Sequence, residues 1–139
     1  MIDKFEGQHA FLSNFYYANV NIHGISYPTS EHAYQSFKTT DVSARVRLSQ
    51  FSTPKEAKRA GRLLPLRRDW EALKFDVMRM VVHAKFTQNA SLAALLLSTG
   101  DQELIEGNWW GDTVWGVCKG EGENHLGRIL MDVRSRIVL

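Results

Sequence analysis

Along the 139-residue chain the period of the apolar positions changes several times, and each change marks an element. In DWEALKFDVMRMVVHAKFTQN, Trp70, Leu73, Val77, Met80, Val81 and Ala84 recur at helical spacing, which predicts a long central helix with one core face. The next segment, ASLAALLLSTG, is apolar enough to be largely buried, with Asn89 placed to cap it and Gly100 to stop it. In ENHLGRILMDVRSRIVL, Leu126, Ile129, Leu130 and Val133 turn inward from a closing helix. Two more helices are marked by their caps. STPKEAKRAGR sets Thr53 and Glu56 at capping-box spacing, with Pro54 at the first helical position and Gly61 as the expected stop. In YPTSEHAYQSFK a proline turn gives way to a helix at Thr29 or Ser30, with Glu31 in the first turn, where a carboxylate complements the helix dipole.

The remaining text favours strands and turns. FLSNFYYANVNIHGISYP is aromatic and β-favouring, with turn formers at Asn19 and Gly24, and ELIEGNWWGDTVWGVC has the same character. No repeat, low-complexity tract or proline-rich linker divides residues 1–139. The expectation is therefore one helix-rich α+β domain with a few short strands.

Composition adds bounds. A hydrophobic fraction of 44% supplies a core, while Lys+Arg 17 against Asp+Glu 15 leaves +2, too small a surplus for broad capture of nucleic acid or an anionic membrane. An anionic ligand needs a local pocket. The lone Cys118 forms no internal disulfide and is expected to be a small buried apolar residue. MIDKFEGQHAF has no apolar run and LAALLL is too short to span a bilayer, so no secretory signal and no membrane partner are expected, and the cytoplasm is the expected location.

Three stretches carry candidate chemistry. Glu31, Gln35 and Lys38 follow at i, i+4 and i+7, a polar stripe from which Ala33 and Phe37 point away; it reads either as a solvated face or as the floor of an active site. GNWWGDTVWGV gathers Trp109, Trp110 and Trp115 around Asp112. Such aromatic clusters are more often core, yet a carboxylate among them is costly when dry and suits a pocket edge that stacks a base and holds a ribose hydroxyl. KGEGENHLG looks like a glycine-rich loop entering a helix, but it lacks a P-loop ending and carries Glu121 and Glu123, which repel phosphate; Asn124 falls near the helix N-cap. The histidines at 9, 23, 32, 83 and 125 have no metal-ligand spacing, and no Gly-x-Ser-x-Gly elbow is present. No catalytic metal or cofactor is expected. Carboxylate and lysine chemistry remain.

The motifs FLSNFY, YPTSEHAYQSFK, AKRAGR, RRDW, AKFTQN, LLLSTGDQELIE, DTVWGVC and NHLGRILMDVR run in order over nearly the whole chain. Together they resemble the NADAR, or YbiA-like, family. The resemblance implies a helix-rich α+β domain that acts on N-glycosidic bonds of ribosides, either removing ADP-ribose from guanine, including guanine in DNA, or hydrolysing early riboflavin-pathway intermediates that carry ribose 5-phosphate. Carried over by position, it points to Glu31, Lys38, Lys85 and Asp112 as catalytic residues, and to Asn14, Phe15, Tyr34, Glu106, Trp115, Gly116 and Asn124 as substrate contacts. A carboxylate such as Glu31 stabilises charge developing at C1, and a lysine of depressed pKa can attack C1 and form an imine. Lys38, on the face of Glu31, is the first choice over Lys85. A binding module that holds ADP-ribose without turnover fits the same inventory. Generic nucleic-acid binding would have to rest on KEAKRAGR and RRDW.

Overall fold

The computed structural model describes residues 1–138, which fall into two units: Asn14–Asn89, and Met1–Ser13 with the chain from Ala90 on. In the first unit, strands β1 (Val20–Ile22) and β2 (Ile25–Tyr27) form an antiparallel hairpin in which Val20 faces Tyr27 and Ile22 faces Ile25. Its two turn residues, His23 and Gly24, have φ of 53° and 81°, the left-handed pair that a tight hairpin of native twist requires.

Helix α1 (Ser30–Ser36) follows, with Thr29 accepting from the His32 N–H as N-cap. All seven of its residues are buried, because it packs against α2, α3 and α4. Helix α2 (Val42–Ser49) was not expected: it buries only Ala44 and Leu48, too little to leave a periodic signal, and starts at Asp41, whose side chain accepts from the Ser43 N–H. Helix α3 (Pro54–Arg62) begins as expected, Thr53 accepting from the Glu56 N–H. Gly61 does not stop it. The helix continues through Arg62, and Gly61 is buried within it, where a Cβ would overlap the Oε1 of Gln35 on α1. The glycine is there for close approach. Helix α4 (Trp70–Gln88) has the expected length, but its buried set includes Met78, Val82, Lys85 and Phe86, while Leu73 and Met80 are only partly covered. Asn89 is the C-cap of α4, its side-chain amide donating to the Lys85 and Asn19 carbonyls.

In the second unit a 3-10 helix spans Gly7–Leu12 and Ile2 bridges Leu104. Helix α5 (Ala90–Ser98) buries one face, Leu92, Ala93 and Leu96, and leaves Leu95 exposed, so it is less enclosed than its composition implied. Gly100, at φ 65°, follows its end. Two-residue strands β3 (Gly107–Asn108) and β4 (Val117–Cys118) pair in parallel. Helix α6 (His125–Arg136) buries the four residues the spacing marked, Leu126, Ile129, Leu130 and Val133. Cys118 is a buried free thiol. Among the described residues the fold is a helix-rich α+β arrangement with four short strands, and no helix is long and apolar enough to cross a membrane.

Candidate active site

Unit Asn14–Asn89 carries six of the expected site residues. The loop before the hairpin is tied to α1 through Asn14. The Asn14 carbonyl accepts the Glu31 N–H at 3.1 Å, its Oδ1 accepts the Ser30 hydroxyl at 2.8 Å, and its Nδ2 donates to Met78 Sδ at 3.2 Å. Both ends of this buried amide are therefore engaged with the protein. Phe15 and Tyr16 project beyond it. The Phe15 ring centroid lies 5.8 Å from Lys58 Nζ and the Tyr16 centroid 5.7 Å from Lys85 Nζ. Tyr17 fastens the loop by donating to the Ser52 carbonyl at 2.9 Å.

The polar stripe on α1 is buried rather than solvated: Glu31 and Gln35 are 8% and 4% exposed. Gln35 Nε2 donates to Glu31 Oε2 at 3.2 Å, which fixes the amide's orientation, and Gln35 Oε1 faces Gly61 with no hydrogen bond. Lys38 stands in the turn that closes α1, its N–H donating to the Gln35 carbonyl at 3.2 Å and its carbonyl accepting the Arg67 N–H at 2.9 Å. Burial pushes its ammonium below the usual lysine pKa. Glu31 opposes that shift, and Arg62 and Lys58 add to it. Tyr34 packs edge-on against Trp70, with centroids 5.3 Å apart. His32 is a structural histidine: its Nε2 donates to the Phe51 carbonyl at 2.9 Å, so its Nδ1 accepts from the Thr29 hydroxyl at 2.7 Å. Burial holds it below the ordinary imidazole pKa.

Lys85, on α4, is 1% exposed, with its Nζ 5.1 Å from the Phe86 centroid as well as beside Tyr16. Burial lowers its pKa to about 7, so near neutral pH about half of the amine is unprotonated. The loop relates it to Glu31. Asn14 holds Glu31 and Tyr16 lies by Lys85, and two residues of chain extend at most about 7 Å.

The other five expected residues lie in the second unit. Asn124 is buried at the start of α6, with φ 54°; its Oδ1 accepts the Glu106 N–H and its Nδ2 donates to the Leu104 carbonyl, both at 3.0 Å. It clamps the segment that carries Glu106. Asp112 Oδ1 accepts the Val114 and Trp115 N–H groups at 3.1 and 2.9 Å, so this oxygen shapes the turn. Asn108 closes the same loop through the Asp112 N–H and carbonyl. Gly116 is buried against the Glu106 carbonyl, where a Cβ would overlap it. The Trp115 ring meets His125 edge-on at 6.3 Å, whereas Trp109 and Trp110 are 82% and 51% exposed and form no core.

A family model for the NADAR domain matches residues 3–138. The chain belongs to the NADAR family. Among NADAR-related proteins it is 40% identical to N-glycosidase YbiA of Escherichia coli (strain K12) over 131 residues, which are 92% of this chain and 81% of that protein. It is also 40% identical to a riboflavin biosynthesis protein of Vibrio vulnificus (strain YJ016) over 135 residues, covering 93% of this chain and 36% of that one. The NMR structure of E. coli YbiA superposes with a TM-score of 0.84 at 38% identity, covering 98% of this chain and 86% of that one. The NADAR motifs thus divide between the two units. Tyr16, Lys58 and Arg62 were not among the expected site residues; the aromatic run inside FLSNFYY and the i, i+4 basic pair of KEAKRAGR are the signals that could have found them.

Proposed function

We propose that this NADAR-family chain is an N-glycosidase, a hydrolase that breaks a ribosyl C1–N bond, with Lys85 as the amine nucleophile and Glu31 as the carboxylate that faces the charge developing at C1. The observation that carries the assignment is the enclosed Lys85 amine, brought by burial to a pKa of about 7. An amine poised near the working pH combines a usable neutral fraction with strong nucleophilicity. Lys38 shares the neighbourhood of Glu31: burial lowers its pKa as well, but that carboxylate opposes the shift by stabilising the ammonium form, which cannot attack.

Lys85 Nζ bonds to C1 as the C1–N bond to the base breaks, and the base leaves with a proton. The ribosyl-lysine then opens its ring, the amine proton passing to the ring oxygen as the C1 imine forms. Water hydrolyses the imine, releasing the sugar aldehyde and the free amine. Glu31 stabilises the positive charge at C1 and the ring oxygen in the first step.

The substrate we infer is ADP-ribosylated guanine, in DNA or as a nucleotide. A second reading, ribosylamino-pyrimidine phosphates, is favoured by the riboflavin biosynthesis name of the Vibrio relative. A module that only binds ADP-ribose has no use for a half-neutral buried amine. The test is incubation with ADP-ribosylated-guanine DNA and, in parallel, the ribosylamino-pyrimidine phosphate, with products resolved by mass and borohydride added during turnover. Release of the base together with a reduced ribosyl adduct on Lys85 is expected. An adduct on Lys38 would move the nucleophile to the end of α1, turnover without an adduct would leave water assisted by Glu31, and no release from either substrate would overturn the N-glycosidase assignment.

A further inference from the structure

Helix α3 meets α1 at one close contact, Gly61 against Gln35, and Gln35 in turn holds Glu31. That contact fixes where the neighbouring basic side chains of α3 emerge. Lys58 and Arg62 are i, i+4 neighbours that bracket Gly61, so they share a face beside the glycine. Lys58 is also located independently. Its ammonium lies over the Phe15 ring, and Phe15 follows Asn14, whose carbonyl accepts the Glu31 N–H. Lys38 stands one turn beyond Gln35, to whose carbonyl its N–H donates. Lys38, in the turn after α1, thus has Lys58 and Arg62 of α3 and the buried Glu31 carboxylate within electrostatic reach. Among the described residues, none of the three cations is in an ion pair.

We propose that Lys38, Lys58 and Arg62 form an anion subsite that takes the phosphoryl group on C5 of the ribose whose C1–N bond is broken. The proposal rests on the N-glycosidase reading for the identity of that ribose. Lys58 and Arg62 both act on the Lys38 ammonium, as expected of charges that converge on one point. Three positive groups against Glu31 leave a local excess that a doubly charged phosphate neutralises, and charge-assisted contacts to phosphate oxygens are among the stronger polar interactions. The shared chemistry of the two candidate substrates is this 5-phosphoryl group, a diphosphate in the ADP-ribosyl case and a monophosphate in the other. The subsite also gives Lys38 a role that suits its charged form, leaving the nucleophile to Lys85.

Calorimetric binding of ribose 5-phosphate, ribose and ADP-ribose to the whole chain tests it without requiring turnover. Ribose 5-phosphate is expected to bind at least about tenfold more tightly than ribose, with affinity falling as salt rises. The Lys58→Gln/Arg62→Gln double variant is expected to lose that advantage, while Lys55→Gln, an exposed α3 control, keeps it. Equal affinity for ribose and ribose 5-phosphate, or an unchanged advantage in the double variant, would overturn the subsite. A preference for ADP-ribose over ribose 5-phosphate assigns the subsite to the diphosphate, and the reverse to the monophosphate. Retained phosphate-dependent binding in a chain that releases no base would reject the glycosidase reading and leave the subsite standing. Normal turnover with KM unchanged in the double variant would do the opposite.

Discussion

Burying Lys85 lowers its amine's proton affinity in the folded chain, from the usual pKa of 10.5 to about 7. Between those values the unfolded chain holds a proton that the folded chain has released, so stability rises with pH across this window. Below about pH 7 both forms carry the charge and the full penalty of the buried ammonium, on the order of 5 kcal/mol, is present; above 10.5 neither is charged and the penalty is gone. Lys85→Met, of similar length, is therefore expected to abolish adduct formation while raising the melting temperature most near neutral pH and least toward pH 10, as a pH series of melting curves would show. Activity should run in the same direction, with kcat/KM rising through about pH 7 as the amine loses its proton. Glu31→Gln keeps the Gln35 contact geometrically possible and should lower kcat by on the order of a hundredfold without lowering the melting temperature much; a rate within a few-fold of the parent would remove Glu31 from the mechanism. Lys85 was partly legible in the sequence: it follows Val81 by four and Val82 by three, on the apolar face of α4, where a lysine must be buried or the helix must be shorter. Its altered pKa was not, because that depends on Tyr16 and Phe86 covering the amine.

Between elements, the contact that sets the site is α3 on α1. Gly61→Ala forces a Cβ into Gln35 Oε1, so the amide must leave its place and with it the bond to Glu31. Overpacking of this kind costs about 1–3 kcal/mol, and the variant should lose activity as well as stability. Adding Gln35→Ala makes room again. The double variant is expected to recover much of the stability but not the activity, and recovery of both would show that Gln35 does not hold Glu31 in place. In the sequence Gly61 looked like a helix stop because it comes late in a basic, capped segment; only the approach of α1 gives the other reason for a glycine. The caps of α1 and α3 were legible since Thr29 and Thr53 bond within three residues, whereas α2, with two buried side chains, had only Asp41 to mark it.

For the whole molecule, long periodic segments such as α4 and α6 declared themselves because each depends on its own spacing, and the order of the NADAR motifs supplied the family. What remained hidden was which side chains the motifs commit to the backbone. Asn124 looked like a ligand contact and is held at both ends by residues 104–106, so Asn124→Ala, which leaves the Glu106 N–H and Leu104 carbonyl without that partner, should cost about 1–3 kcal/mol by denaturant titration whatever it does to substrate binding. The tryptophans of GNWWGDTVWGV read in the sequence as either core or pocket edge; Trp109 and Trp110 are exposed, whereas Trp70 is buried as its helical spacing predicts. Their distribution has a spectroscopic consequence. Trp70, 5% exposed, is the sole indole of unit Asn14–Asn89, while Trp109, Trp110 and Trp115 all belong to the other unit. Replacing either set with phenylalanine leaves emission from one unit alone: blue and shielded from a soluble quencher for Trp70, red and readily quenched for the exposed pair. The Trp70 signal should shift strongly on unfolding and the other weakly, so each half of the chain carries its own optical label without added dye.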